Sequence, residues 1–404
     1  MQKKLVIVCL LNFLVAALMG LALRYSFIES IGLNYRYLTH AHSHVAMLGW
    51  VYLMLFVCIV HYFIPEKKPI YNRLFWLTQF AVIGMMLSFP FQGYGVVSIT
   101  FSTLHILCSY YFVYLIWKHH KTTSKATALL LKASLLFMLL STLGVWCLGP
   151  AVGLMGKASA FYQIAIQFFL HFQFNGWFLI SALAILFHLL NIEYSKTIKR
   201  FFYLLIISTI LTVALPIQWF APHNILLWIN GIGTIFQLIT LFYFLKIFRL
   251  NKVILSKNEF KLTNYLLYFA VFCYSLKIVL QGLTLIPELA SNAYQHRNFV
   301  IGFIHLLMLG VISGFLFSFI LKKELVNTSR TLYLGIYSFL LGFILTEIVL
   351  FIQGYYFYFG KGLLPNYYLL LFIFSILMPL GILLLLLNMT SHKSNPIKKP
   401  PQLK

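Results

Sequence analysis

Twelve apolar stretches, each long enough to cross a bilayer, follow one another along this 404-residue chain. A transmembrane helix needs about 20 mainly apolar residues, because each adds only about 1.5 Å of rise. The stretches fall at roughly 5–24, 40–63, 74–93, 95–117, 128–150, 160–190, 201–220, 223–248, 263–286, 298–321, 331–354 and 366–388. With 61% hydrophobic and 9% charged residues, too little polar surface remains to cover a soluble globule. The connections are short. The expected fold is therefore all-α, one polytopic membrane domain over residues 1–390 followed by a basic tail at 391–404. The first stretch is too long and too evenly apolar for a cleaved signal peptide and reads as a retained helix.

A formal charge of +23 raises the question of nucleic acid, but the basic residues are scattered between apolar runs. Their distribution is that of a topology signal. With the N-terminus inside, one side receives Lys3, Lys4, Lys67, Lys68, Arg73, Lys118, Lys121, Lys125, Lys196, Lys199, Arg200, Lys246, Arg249, Lys252, Lys257, Lys261, Lys322, Lys323, Arg330 and the tail from Lys393 to Lys404. The other side keeps Arg24, Arg36, Lys157, Arg297 and Lys361. Every second loop is basic, so both termini are expected in the cytoplasm. Lipid is the expected surrounding, and nucleic acid is not an expected partner.

Histidine inside lipid is costly and faces protein, ions or cofactors. His44-Val45-Ala46-Met47-Leu48-Gly49 and His305-Leu306-Leu307-Met308-Leu309-Gly310 nearly repeat each other on two spans. Each histidine precedes a glycine by five residues, which suggests two ligands reaching one bound group. His40, His42 and His44 are expected at the outer start of the second span. At about 100° per residue, His40 and His44 share a face and His42 points nearly the other way. His105 is expected to be an interhelical hydrogen-bonding group. Arg36 and Arg297 lie on the sparsely charged side, where a guanidinium could hold an anionic group such as a haem propionate. The five cysteines form no CxxC or CxxCH pattern, which argues for small core residues and against covalently attached haem.

At these residues the chain resembles the haem-copper oxidase subunit I superfamily, in its divergent branches: cbb-type oxidases, nitric oxide reductases and NnrS-like proteins. His42-Ser43-His44-Val45-Ala46-Met47-Leu48-Gly49 is similar to the His-Ala-His-Glu-type and His-x-His segments of that group. His171-Phe172-Gln173-Phe174-Asn175-Gly176 resembles the helix carrying the first copper ligand, and Ala221-Pro222-His223-Asn224 the turn carrying the other two. Gly302-Phe303-Ile304-His305 resembles the Gly-His-x-His segment that ligates both haems. The resemblance implies a twelve-helix oxidase-like bundle in a bacterial inner (plasma) membrane, working in respiratory electron transfer or in nitric oxide or oxygen handling.

Carried over by residue, it implies a low-spin, b-type haem between His305 and either His42 or His44. It also implies a degenerate metal site, for copper or another metal, at His171 and His223. Asn224 replaces the third copper histidine, Phe303 stands at the high-spin haem's ligand position, and Ile217 at the active-site tyrosine. Ordinary oxygen reduction is therefore not expected, and whether the chain is an oxidoreductase stays open. An electron donor or oxidase-type subunits would be its partners. Two other readings compete: a proton-coupled secondary transporter using Lys277, Glu288 and Glu347, and a non-catalytic scaffold of the same fold.

Overall fold

The computed structural model describes residues 2–251, 261–323 and 325–391. Lys252, Lys257, His392 and the basic tail lie outside them. Among the described residues twelve helices are long and apolar enough to span a membrane. They are α1 (Lys3–Tyr25), α2 (Tyr35–Phe63), α3 (Pro69–Gln92), α4 (Val96–His119), α5 (Lys125–Met155), α6 (Ala160–Leu189), α7 (Lys196–Gln218), α8 (Asn224–Asn251), α9 (Lys261–Leu285), α10 (Arg297–Lys322), α11 (Arg330–Tyr358) and α12 (Tyr367–Ser391). The chain is a multi-pass membrane protein.

Two boundaries differ from expectation. Helix α2 begins at Tyr35, because the Asn34 side chain accepts hydrogen bonds from the backbone N–H groups of Arg36 and Tyr37. The polar stretch that opens it hides this turn from a hydropathy reading, and the histidine cluster consequently sits inside the helix rather than at its start. The link between α9 and α10 also contains an unforeseen short helix, Pro287–Gln295.

Helices α2, α6 and α10 form the centre. In their most apolar windows 78%, 78% and 56% of residues are buried, against 33–50% in every other span. The three meet pairwise. Trp50 of α2 donates from Nε1 to Ser313 Oγ of α10 at 2.9 Å, the Tyr52 and Trp177 rings join α2 to α6 at 6.0 Å, and α6 also touches α10. Around them the remaining spans form an outer layer, closed where α12 packs on α1.

Each central helix changes pitch at the same place. A π-helical segment follows His44 (Val45–Tyr52), His171 (Phe172–Phe178) and His305 (Leu306–Ile312). Each contains a glycine five residues after its histidine, packed on the preceding span. A Cβ on Gly49 would lie 3.0 Å from Asn12, on Gly176 2.6 Å from Phe137, and on Gly310 2.9 Å from Cys273. The fold thus repeats a four-helix unit three times, with its second helix always at the centre.

Widened turns leave carbonyls to satisfy, and side chains take them. Gly49 O accepts from Asn12 Nδ2 at 2.9 Å, His171 O from Asn175 Nδ2 at 3.3 Å, and Met308 O from Ser313 Oγ at 2.8 Å. Asn12 is also tied reciprocally to Gln79 of α3, at 2.7 and 3.0 Å. Asn12→Ala should therefore destabilise the bundle by about 1–2 kcal/mol, since it strands a buried amide and a carbonyl. Thermal unfolding in detergent measures this, and an unchanged midpoint would contradict the account.

Candidate functional site

The two halves of the central helices differ in packing. Beyond the π segments the chain is almost fully buried, as over Ser313–Leu321 of α10. Before them it is open: no residue of Arg297–His305 is buried, and in Tyr35–His44 only Leu38 and Ala41 are. The histidines occupy this looser half, and the structure sorts them into three compartments.

The first lies between α1, α2, α10, α11 and α12. His42 donates from Nδ1 to Ala16 O of α1 at 2.8 Å. Gly20 makes room for the ring, since a Cβ there would lie 2.9 Å from His42 Cε1. With Nδ1 protonated and committed, Nε2 carries the free lone pair. On α10, His305 Nδ1 lies 3.6 Å from Glu347 Oε1 of α11. Both atoms are buried and have no hydrogen-bond partner. Gly302, one turn before His305, lets the carboxylate approach, with Oε2 3.2 Å from where a Cβ would stand. Arg24 completes the group: it donates to Leu371 O at 3.3 Å and to Ser375 Oγ, both on α12. It is within electrostatic reach of Glu347, His42 and His305, and the two imidazoles are within reach of each other. Among the described residues Glu347 is the one acidic residue inside a span.

The second compartment, between α2, α3 and α4, takes His40 and His44. Both rings lie against Tyr94, at 4.7 and 5.8 Å, and His44 also against Phe89 at 4.3 Å. His44 Nδ1 donates to His40 O at 2.8 Å. The opposed faces read from the sequence are thus present: His42 turns to α1 while His40 and His44 turn to α3. His105 corrects an expectation, because it makes no interhelical hydrogen bond. Its Nε2 is buried without a partner, Nδ1 meets only Ser109 of its own helix at 3.4 Å, and its ring packs on Tyr52 at 4.6 Å.

The third compartment, between α6, α7 and α9, contains His171, whose Nε2 donates to Thr209 O at 2.8 Å. Lys277 Nζ donates to Gln281 Oε1 at 2.9 Å and lies 5.5 Å from the centre of the Phe303 ring. A cavity of about 10 Å³ remains beside it, lined by Asn175, Thr209, Gln237 and Tyr274 among others. That is about the room a single water needs. A porphyrin does not fit there. His223 is exposed at the start of α8, where its Nδ1 accepts from Ile225 N at 3.2 Å. His171 and His223 thus have separate partners, one inside the bundle and one at the exposed start of α8. Among the described residues no group of three or more His, Cys, Asp or Glu side chains could hold a metal ion.

Arg36 and Arg297 are both exposed, in the first turns of α2 and α10. The cation in the first compartment is Arg24 instead, which the sequence reading assigned to topology. Glu347 and Lys277, which a proton-coupled transporter would use together, lie in different compartments. The third His-x4-Gly pattern, His171 to Gly176, is visible in the sequence and matches the other two in geometry. No protein-family model matches the chain, and no curated protein matches it in sequence.

Proposed function

We propose that this chain is a haem-binding integral membrane protein in which His42 and His305 would hold the iron of one low-spin, b-type haem in the first compartment. The observation that carries the reading is the pairing itself. Two imidazoles from two central helices lie within electrostatic reach of each other in the loosely packed half of the bundle, and in each Nδ1 is turned to a protein acceptor. Ligating histidines commonly commit their second nitrogen to a carbonyl or a carboxylate in this way. His42 uses Ala16 O and His305 faces Glu347.

When bound, haem supplies one-electron redox chemistry, and two imidazoles leave it no open position. The protein's own contribution is to fix both rings and to keep water out behind the packed half of the bundle. The resemblance to haem-copper oxidases supports His305 with either His42 or His44, and His42 is preferred because the His44 ring packs on Phe89 and Tyr94. Respiratory electron transfer follows as the working context, with a membrane or soluble electron donor as partner. The alternation of basic loops supports cytoplasmic termini, and in this reading the compartment lies toward the opposite surface of a bacterial plasma membrane. The His171 and His223 pair is not part of this proposal, because each ring has a partner of its own.

Visible spectra of the protein purified from haem-replete cells, oxidised and dithionite-reduced, test the reading together with a pyridine haemochrome assay. One haem per chain with a six-coordinate spectrum is expected. His44→Ala and His171→Ala should keep that haem, since both face other compartments. A parent protein without a Soret band would overturn the proposal.

A further inference from the structure

The environments of the two proposed ligands are unequal. His42 Nδ1 is held by a neutral carbonyl, Ala16 O. His305 Nδ1 faces a carboxylate, Glu347, at 3.6 Å. These last two atoms are matched orphans: one is a ring nitrogen that can donate, the other an oxygen that can accept, and both are buried with no other partner. A buried polar atom left unpaired costs about 1–3 kcal/mol, so a small ring rotation that joins them is favoured. Two local features hold the carboxylate in place. Gly302 leaves the surface of α10 bare where Oε2 rests. Arg24, anchored on Leu371 O and Ser375 of α12, lies within electrostatic reach on the other side.

We infer that Glu347 is a positioning residue for His305, accepting its Nδ1–H so that Nε2 faces His42 and becomes the stronger of two unequal axial donors. The inference rests on the haem reading above and deepens it. A carboxylate behind an imidazole gives the ring partial imidazolate character and raises its basicity as a ligand. Stronger donation favours ferric over ferrous iron, so the carboxylate lowers the midpoint potential. Arg24 partly offsets the charge of Glu347 while leaving the acceptor in place. Nothing on the His42 side compensates, because a carbonyl cannot take up a proton or carry a charge.

The test compares the parent protein with Glu347→Gln and Glu347→Asp by redox titration and by low-temperature EPR and near-infrared magnetic circular dichroism of the ferric form. In the parent, the near-infrared charge-transfer band should lie at the position of a mixed imidazolate–imidazole pair rather than of two neutral imidazoles. This reading needs no variant. Glu347→Gln should keep six-coordinate haem, move the band toward the neutral pair and raise the potential by about 59 mV for each tenfold loss in ferric preference. Glu347→Asp, which retains the charge, should restore most of the shift. A six-coordinate parent with the band of two neutral imidazoles would overturn the inference and leave the haem reading standing. So would a Glu347→Gln protein with unchanged potential and band. A parent protein without haem would overturn both.

Discussion

His42→Ala and His305→Ala proteins should each lose haem, with affinity falling by at least about 100-fold, while expression and helical content remain. Changes one step behind a ligand already cost about 10–100-fold, so removing a ligand itself should cost more. Both substitutions fall in the loosely packed half of the central helices, where neither ring fills a tight core. The effect is therefore expected on the cofactor and not on folding. Free imidazole added during reconstitution should restore a six-coordinate spectrum in either variant, because the space left by the ring matches it. His44→Ala serves as the internal control, lying on the same helix a half-turn from His42 and facing Phe89 and Tyr94. Equal loss of haem in His44→Ala and His42→Ala would contradict the division into compartments.

The second large effect concerns the pairing of α11 with α12 in the outer layer. Helices α11 and α12 approach each other through glycines, and a Cβ on Gly381 would lie 2.5 Å from Gly335 O and 2.7 Å from Phe339 N. Those are backbone atoms, so the helices must part before any side chain can enter. Small residues are what allow such contacts in a bilayer, where no hydrophobic force drives helices together. Gly381→Leu is expected to destabilise the bundle by about 3 kcal/mol or more, at the upper end of overpacking costs. Because α12 also anchors Arg24 through Leu371 and Ser375, haem retention should fall with it. Thermal unfolding followed by fluorescence-detected size exclusion measures the loss. Leu380→Ala, on the neighbouring exposed position, should leave the midpoint unchanged. A Gly381→Leu protein that melts with the parent would sink the argument.

The number of spans was legible in the sequence because hydropathy over about 20 residues reports little else. The start of α2 was not, since a capping asparagine followed by Tyr35, Arg36 and Tyr37 carries no apolar signal. Helical periodicity sufficed to separate His42 from His40 and His44, yet it could not say which face meets α10. That depends on how α1 packs, and on Gly20 in particular. Arg24 carries no distinguishing signal, because a cation near a span end looks like any topology marker. Glu347 stood out by depth alone, but its pairing with His305 needs the fold, since the two are 42 residues apart on adjacent helices. The π segments leave no direct trace, because closing each hydrogen bond over one more residue changes geometry without changing composition.

Those widened turns have a rotational consequence. Each inserts a fixed angular offset between the part of a central helix that is locked in the core and the part that presents a histidine. An α-helix advances about 100° per residue, so deleting a single residue within 306–312 would swing His305 by about that angle while the locked part kept its registry. The imidazole would then address a neighbouring interhelical space. The orientation of the ligand end is thus set by a phase shift in the backbone, independently of the side chains that pack the core.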